Sequence, residues 1–105
     1  MTQPIFVSNS SPIIAFERLH ASDLLHRLTH TLYVPLAVRR EVFGSGAMPS
    51  WISERTVSFP VSPRILGSRL GPGESEAITL ALEMLPCRLL VDDLAARRTA
   101  EAIKI

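Results

Sequence analysis

Acidic side chains occur at two places in this chain from which they could converge. Glu74 and Glu76 lie in the first turn of an amphipathic helical pattern, and Asp92 and Asp93 follow directly on the apolar stretch 89–91. Ligands of an open parallel sheet bind outside the carboxyl ends of its strands, so acids at such positions would form an oxygen-rich pocket. That pocket suits a hard divalent cation such as Mg²⁺. The chemistry indicated is metal-assisted phosphodiester hydrolysis.

The elements that must position these acids alternate between strands and helices. Short apolar runs bounded by turn residues predict strands at 5–9, 31–34, 57–59 and 88–92. Helical spacing of apolar residues predicts helices over 12–19, after 21–22, over 35–43, 73–85 and 94–103. Because the strands alternate with helices over long connections, we expect an α/β protein with a three-layer α/β/α arrangement and a mainly parallel sheet.

Residue type marks two of the helix starts. Ser11 followed by Pro12 is typical of an N-cap and the first helical residue, because serine accepts a bond from a free amide and proline has no amide to donate. The helix that begins at Gly73 carries its acids at the front, where negative charge stabilises the helix dipole.

Composition limits the class of protein. The chain of 105 residues fits one domain spanning 1–105, and 47% hydrophobic residues, 20% charged residues and a net charge of +1 favour a packed globule over disorder. No apolar run is long enough to span a bilayer, and no signal-peptide pattern opens the sequence. With Cys87 as its single cysteine, the chain forms no internal disulfide, so we expect a cytoplasmic protein.

The small net charge also confines any nucleic-acid surface to a local patch, because bulk electrostatic attraction is weak. The arginines that could form such a patch are Arg39, Arg40, Arg64, Arg69, Arg97 and Arg98.

Four stretches, taken together, resemble a PIN domain. They are residues 7–14, Val34 and Pro35 with Glu41, residues 71–78, and residues 90–93. They occur in the family's order, span nearly the whole chain, and are similar to a PIN-like branch of unknown function that is grouped with toxin-type nucleases. The resemblance implies a Mg²⁺- or Mn²⁺-dependent ribonuclease of the kind found as the toxin in toxin–antitoxin pairs.

The resemblance also implies a set of metal ligands. The first family acid falls on Asn9 and the second on Glu41. The third falls on Glu76 and the fourth on Asp93, with Asp92 as its competitor. An asparagine ligates a hard cation through its carbonyl oxygen but brings no negative charge, so weaker metal binding is expected. In the catalytic role, the three acids would hold the metal that activates a water molecule.

Substrate contacts are expected on both sides of these ligands. Asn9 and Ser10, at the start of the first helix, would touch metal-bound water or phosphate. Arg97 and Arg98 follow the acidic pair by one helical turn, so at least one of them would hold the RNA backbone. Alternatively, Arg97 would pair with Glu101, four residues further on.

The family pattern continues beyond the point where this sequence ends. Family members usually add another parallel strand and one or two helices, so the resemblance implies a C-terminally shortened domain without its last strand and helices. An unpaired sheet edge and an uncovered apolar surface would then need a partner. The expected partners are RNA, an antitoxin protein and a second copy of the chain, and no membrane contact is expected.

Each candidate residue also has a purely structural alternative. Glu76 could stabilise the start of its own helix, a role that Glu74 fills equally well. Asp93 could cap the following helix, and Glu41 could be an ordinary solvated charge. Under these alternatives the chain is a catalytically impaired PIN-like protein that serves as a partner-binding or nucleic-acid-binding module.

Four further residues are expected to lack a catalytic role. His26 and His30 lie four residues apart but have no third ligand nearby, so surface histidines are expected instead of a zinc site. Cys87 is expected to be a small buried hydrophobe. Trp51, the only tryptophan, is expected to pack, with base stacking as its alternative.

Overall fold

The computed structural model describes residues 4–58 and 71–91, and within them four strands alternate with four helices. In chain order these elements are β1 (Phe6–Ser8), α1 (Ser10–Arg18), α2 (Ser22–Thr29), β2 (Leu32–Val34), α3 (Leu36–Phe43), β3 (Ile52–Glu54), α4 (Pro72–Glu83) and β4 (Arg88–Leu90). The helix predicted over 94–103 lies outside the described residues, as do Asp92, Asp93, Arg97 and Arg98. No described helix is long and apolar enough to cross a membrane.

The strands form one parallel sheet in the order β3-β2-β1-β4. Phe6 of β1 pairs with Leu32 of β2 on one side and with Arg88 of β4 on the other. The chain therefore moves outward from β1 to β2 and β3, and then returns to place β4 against the opposite side of β1. The strand order reverses between β1 and β4, and the carboxyl ends of these two strands are where such sheets bind ligands.

Helices cover both faces of this sheet. Val7 is in register with Tyr33 and Leu89, and this face packs with Leu80 and Ala81 of α4. Since successive strand residues point to opposite faces, the alternate positions pack against α1, α2 and α3. The buried members of that second cluster are Ile13, Leu25, Leu32, Val34, Val38 and Ile52. The predicted three-layer α/β/α arrangement is confirmed.

The strand predicted at 57–59 is wrong, because β3 spans Ile52–Glu54 instead. Val57 and Ser58 lie outside any strand. Val57 packs against the α4 side of the sheet, and the amide of Ser58 donates to a carboxylate oxygen of Glu83 at 2.9 Å. The apolar residue at 57 thus marks packing onto α4, not strand pairing. In β3 itself only Ile52 is buried, so that strand carries almost no apolar pattern.

The first helix begins two residues before its predicted start, and Ser11 is not its N-cap. Asn9 occupies the N-cap position with an extended backbone (φ −84°, ψ −170°), and its side chain makes no capping hydrogen bond. Pro12 is consequently the third helical residue. Proline is tolerated there because the amides of the first helical turn have no partner within the helix.

His26 and His30 do not share a helix face. The helix ends at Thr29, and His30 follows with a φ of +62°. His26 stacks on Trp51, with ring centroids 4.9 Å apart and ring planes 4° from parallel. Trp51 itself is half-buried against the core, so it packs as predicted. Both histidines are exposed, as predicted for surface residues.

The thiol of Cys87 should make the stability of the fold depend on pH. Its Sγ donates to the carbonyl oxygen of Ala81 at 3.3 Å, and burial raises the pKa of the Cys87 thiol above its ordinary value. The unfolded chain would therefore release this proton at a lower pH than the folded chain. The contribution of the protonated thiol to the free energy of unfolding is fully present below about pH 8.5 and is lost as the pH rises further.

Urea denaturation of the wild-type chain and of Cys87→Ala, from neutral pH upward, measures this effect. We expect the free energy of unfolding to fall more steeply with pH in the wild type, because only that chain carries the thiol. Parallel pH profiles for the two proteins would contradict the prediction.

Candidate active site

Asn9 lies at the point where the strand order reverses. It follows the last residue of β1, and its backbone amide donates to the carbonyl oxygen of Leu90 at 3.2 Å, which ties the ends of β1 and β4 together. Its side chain is 1% exposed. Both polar atoms of that side chain, Oδ1 and Nδ2, lack a hydrogen-bond partner among the described residues.

Ser10 places a third buried polar atom beside them. Its residue is 5% exposed, and its Oγ also has no hydrogen-bond partner in the described part of the chain. Leaving a buried polar group unpaired costs about 1–3 kcal/mol, and such groups in a native fold usually mark a bound water or ion. Three such atoms at adjacent positions mark a place where a polar ligand would stabilise the fold.

Glu41 brings a carboxylate to the same place. A Cβ added to Gly73 of α4 would lie 3.3 Å from Oε2 of Glu41 and 3.7 Å from Oγ of Ser10. The two oxygens therefore flank one point beside Gly73, although their residues come from α3 and α1. Because Gly73 has no side chain, it leaves the space between them free. Glu41 is exposed, so its carboxylate is accessible from solvent.

The side chain of Glu76, in α4, forms a hydrogen bond to the backbone of α3. Its Oε1 accepts a hydrogen bond from the amide of Ala37 at 3.2 Å, within the first turn of α3. The N-cap of α3 is Pro35, which supplies no capping side chain. The carboxylate of Glu76 takes that role, and its negative charge is favourable at the positive end of a helix.

This contact corrects the structural alternative for Glu76, which placed the carboxylate at the start of its own helix. The acid that serves the first turn of α4 is Glu74, whose Oε2 lies 2.7 Å from the position that a Cβ on Gly71 would take. Ala37 precedes Glu41 by four residues, or one helical turn. Both predicted acids therefore lie along the contact between α3 and α4.

The structure thus places Ser10 and Glu41 next to Gly73, with Asn9 beside Ser10 in sequence. Glu76 binds the amide of Ala37, one helical turn before Glu41. Asp92, Asp93, Arg97 and Arg98 cannot be placed, since they lie outside the described residues. Across 4–58 and 71–91, no three His, Cys, Asp or Glu side chains cluster closely enough to hold a metal ion. The described part of the site therefore offers the neutral side-chain oxygens of Asn9 and Ser10 and two carboxylates, those of Glu41 and Glu76, that belong to no three-residue cluster.

Comparison of the sequence with known protein families identifies the family of this chain. The family model described as a PIN domain matches residues 5–105. The chain is a member of the PIN domain family. No curated protein and no solved structure matches the chain.

The PIN family implies a divalent metal, and the donors at this site fit one. The amide oxygen of Asn9 and the hydroxyl of Ser10 are buried and unpaired, and the carboxylate of Glu41 lies beside that hydroxyl. Oxygen ligands of this kind are the ones that Mg²⁺ and Mn²⁺ prefer. In this PIN domain a neutral amide stands at the carboxyl end of strand β1, so Asn9 itself would bring no negative charge to a metal.

One cation at the carboxyl edge of the sheet was missed from the sequence. Arg55 directly follows β3, at the same carboxyl edge of the sheet, and its guanidinium carbon lies 5.1 Å from the centroid of the Tyr33 ring. The position of Arg55 at this edge could have been predicted only if β3 had been recognised as a strand. By contrast, Arg39 pairs with Glu54 at 3.2 Å, so its charge is partly neutralised.

Proposed function

We propose that this PIN domain is a divalent-metal-dependent ribonuclease that hydrolyses RNA phosphodiester bonds. The observation that carries the proposal is the buried, unpaired side chain of Asn9, next to the unpaired hydroxyl of Ser10 and the carboxylate of Glu41. Asn9 lies where the strand order reverses, which is where open parallel sheets bind their ligands. An oxygen-binding ion would satisfy atoms that the fold leaves without partners.

The proposed metal ligands are Glu41, Glu76 and Asp93, with Asp92 as a competitor for the last position and the amide oxygen of Asn9 as a neutral ligand. When bound, Mg²⁺ or Mn²⁺ would lower the pKa of a water molecule and neutralise charge on the scissile phosphate. Because Asn9 is neutral, the affinity for metal is expected to be lower than in a site with a fourth carboxylate.

The remaining groups position the substrate. The hydroxyl of Ser10 can donate to a phosphate oxygen or to the attacking water, since nothing described in the fold uses it. Arg97 or Arg98 would hold the RNA backbone, and Arg55 offers a second cation at the same edge of the sheet. A local set of cations is needed because the net charge of the chain is only +1.

The biological setting follows from the same proposal. The enzyme would act in the cytoplasm as the toxin of a toxin–antitoxin pair, with an antitoxin protein as its inhibitor. RNA would be its substrate.

A second function is favoured by one specific observation, the amide at position 9. Without a carboxylate there, and with no cluster of three acids in the described part of the chain, metal chemistry could be lost. The domain would then serve as a partner-binding or nucleic-acid-binding module. Leu19, Leu24 and Leu28 are 76%, 50% and 57% exposed and offer an apolar surface for a protein partner or a second copy.

RNA cleavage by the purified chain separates the two functions. A mixed RNA panel would be incubated with Mg²⁺ or Mn²⁺ and the wild-type protein, Glu41→Gln, or Glu74→Gln. Glu41→Gln is expected to slow cleavage by on the order of 100-fold, because it removes one charge from the proposed metal ligands. Glu74→Gln is the matched control, since it removes one charge from the first turn of α4 outside the site.

A chelator should abolish the wild-type activity. If Glu41→Gln cleaves as fast as the wild type, the activity belongs to a contaminant or another site. If the folded wild type cleaves nothing with either metal, the module becomes the better account.

Substitution of Gly73 tests the free space beside Glu41. In Gly73→Ala the new Cβ would press on Oε2 of Glu41, so that carboxylate must shift by a few tenths of an ångström. We expect the free energy of unfolding to stay within about 1 kcal/mol of the wild type, because alanine favours the helix. RNA cleavage should nevertheless fall. Urea denaturation and a cleavage assay measure the two effects, and unchanged cleavage would contradict the assigned position of Glu41.

A further inference from the structure

A groove lies between helices α1, α2 and α3 and the loop before β3. Its volume is about 520 Å³, and it is bounded by the last turn of α1, the first turn of α2, the end of α3 and the loop before β3. Ile52, the first residue of β3, forms part of its wall, so the groove opens near the amino end of that strand. It shares no residue with the candidate active site. Cavities of this size accept a small ligand or several side chains.

Apolar side chains form part of the wall of this groove, and the groove is partly preformed. Phe43, Met48 and Trp51 are half-buried along it, over the buried side chain of Ile52. The stacked imidazole of His26, 4.9 Å from the indole of Trp51, holds that ring in place. Methionine adapts to the shape of what packs against it, and aromatic rings supply large contact areas.

The charged residues that line this groove are both acids. Glu17 and Asp23 are exposed, and neither forms an ion pair within 4–58 and 71–91. Asp23 lies in the first turn of α2, where its charge is favourable. Glu17 lies in the last turn of α1, where the helix dipole disfavours a carboxylate. A cation bound there would relieve that repulsion.

We propose that this groove binds a basic, apolar segment of a partner protein. Apolar side chains of the segment would fill the space along Trp51 and Met48, and arginines would pair with Glu17 and Asp23. Arginine suits the site because its planar guanidinium engages carboxylates with two hydrogen bonds and also stacks on aromatic rings. RNA does not fit, because the two carboxylates repel phosphates. The groove would keep this role even if the chain cleaved no RNA.

Trp51 provides the readout, because it is the only tryptophan of the chain and lines the groove. The full-length protein would be titrated with the tryptophan-free peptide acetyl-Leu-Arg-Leu-Arg-amide while the tryptophan emission is recorded. An acidic peptide, acetyl-Leu-Glu-Leu-Glu-amide, is the control. We expect a saturable change with the arginine peptide and none with the acidic one. Raising the ionic strength to about 1 M, where the Debye length is about 3 Å, should weaken binding.

The double variant Glu17→Gln, Asp23→Asn keeps the size and polarity of the rim while removing both charges. We expect its affinity for the arginine peptide to fall about tenfold, with an unchanged circular dichroism spectrum. Glu74→Gln, an acid outside the groove, should bind as the wild type does. The proposal is overturned by an unsaturable wild-type titration, by equal affinity for the acidic peptide, or by full affinity in the double variant. Octylguanidinium binding as tightly as the peptide would assign the groove to a small organic cation and overturn it too.

Discussion

Replacing Glu76 with alanine is expected to lower the free energy of unfolding by about 1–2 kcal/mol, whereas glutamine should cost much less. The carboxylate of Glu76 accepts the amide of Ala37 and so caps a helix whose own N-cap, Pro35, has no capping side chain. Glutamine retains an oxygen at the same place, but alanine leaves the amide of Ala37 without a partner. Urea denaturation of the three proteins measures the difference.

The glutamine variant also separates the structural role of Glu76 from its proposed metal role. Glu76→Gln should keep most of the stability yet slow RNA cleavage strongly, because the charge is gone while the hydrogen bond remains. Glu74→Gln, near the start of the same helix, should keep its cleavage rate and lose only the roughly 0.3–1 kcal/mol of a first-turn acid. If Glu76→Ala proves as stable as Glu76→Gln, the bond to Ala37 contributes nothing and the cap is not functional.

Replacing Asn9 with aspartate is expected to lower stability by about 3 kcal/mol in the absence of divalent metal. The new charge would sit in a position that is 1% exposed, where the fold offers no hydrogen-bond partner among the described residues. Mg²⁺ should restore most of this loss, because the added carboxylate is an additional anionic ligand. Thermal unfolding of both proteins, with Mg²⁺ and with a chelator, should therefore show a larger rise in Tm for Asn9→Asp than for the wild type.

Asn9→Leu is the matched control for that experiment. Leucine removes both unpaired polar atoms while keeping a similar side-chain volume, so stability without metal should equal or exceed that of the wild type. Its Tm should rise less with Mg²⁺ than that of the wild type, because one neutral ligand is gone while the anionic ligands remain. An Asn9→Asp protein that is destabilised equally with and without Mg²⁺ would argue against a metal at this position.

The predictability of this fold from sequence depends on how local each signal is. The start of α4, predicted at Gly73 and observed at Pro72 with Glu74 in its first turn, follows from residue type because each contact lies within one helical turn. The strand β3 was missed because Ile52 is its single buried residue. Apolar patterning detects buried strands well and partly exposed ones poorly.

The contacts of the candidate site were also not predictable from local sequence signals, because they join residues that are distant in the chain. The resemblance to the PIN family pointed to Asn9, Glu41 and Glu76 by their place in the sequence order. It could not reveal that Glu76 bonds to Ala37, since the two residues lie 39 positions apart and meet only after α3 packs on α4. The burial of Asn9, with its polar atoms unpaired, likewise depends on strands that come together from both ends of the chain.

Equilibrium binding of Mn²⁺, followed by electron paramagnetic resonance of the free ion, tests the central claim most directly, because it requires neither a substrate nor turnover. The wild-type protein should bind Mn²⁺ saturably, Glu41→Gln should bind it at least about tenfold more weakly, and Glu74→Gln should bind it as the wild type does. Equal Mn²⁺ affinity in wild type and Glu41→Gln, or no saturable binding by the folded wild type, would contradict a metal centre that includes Glu41.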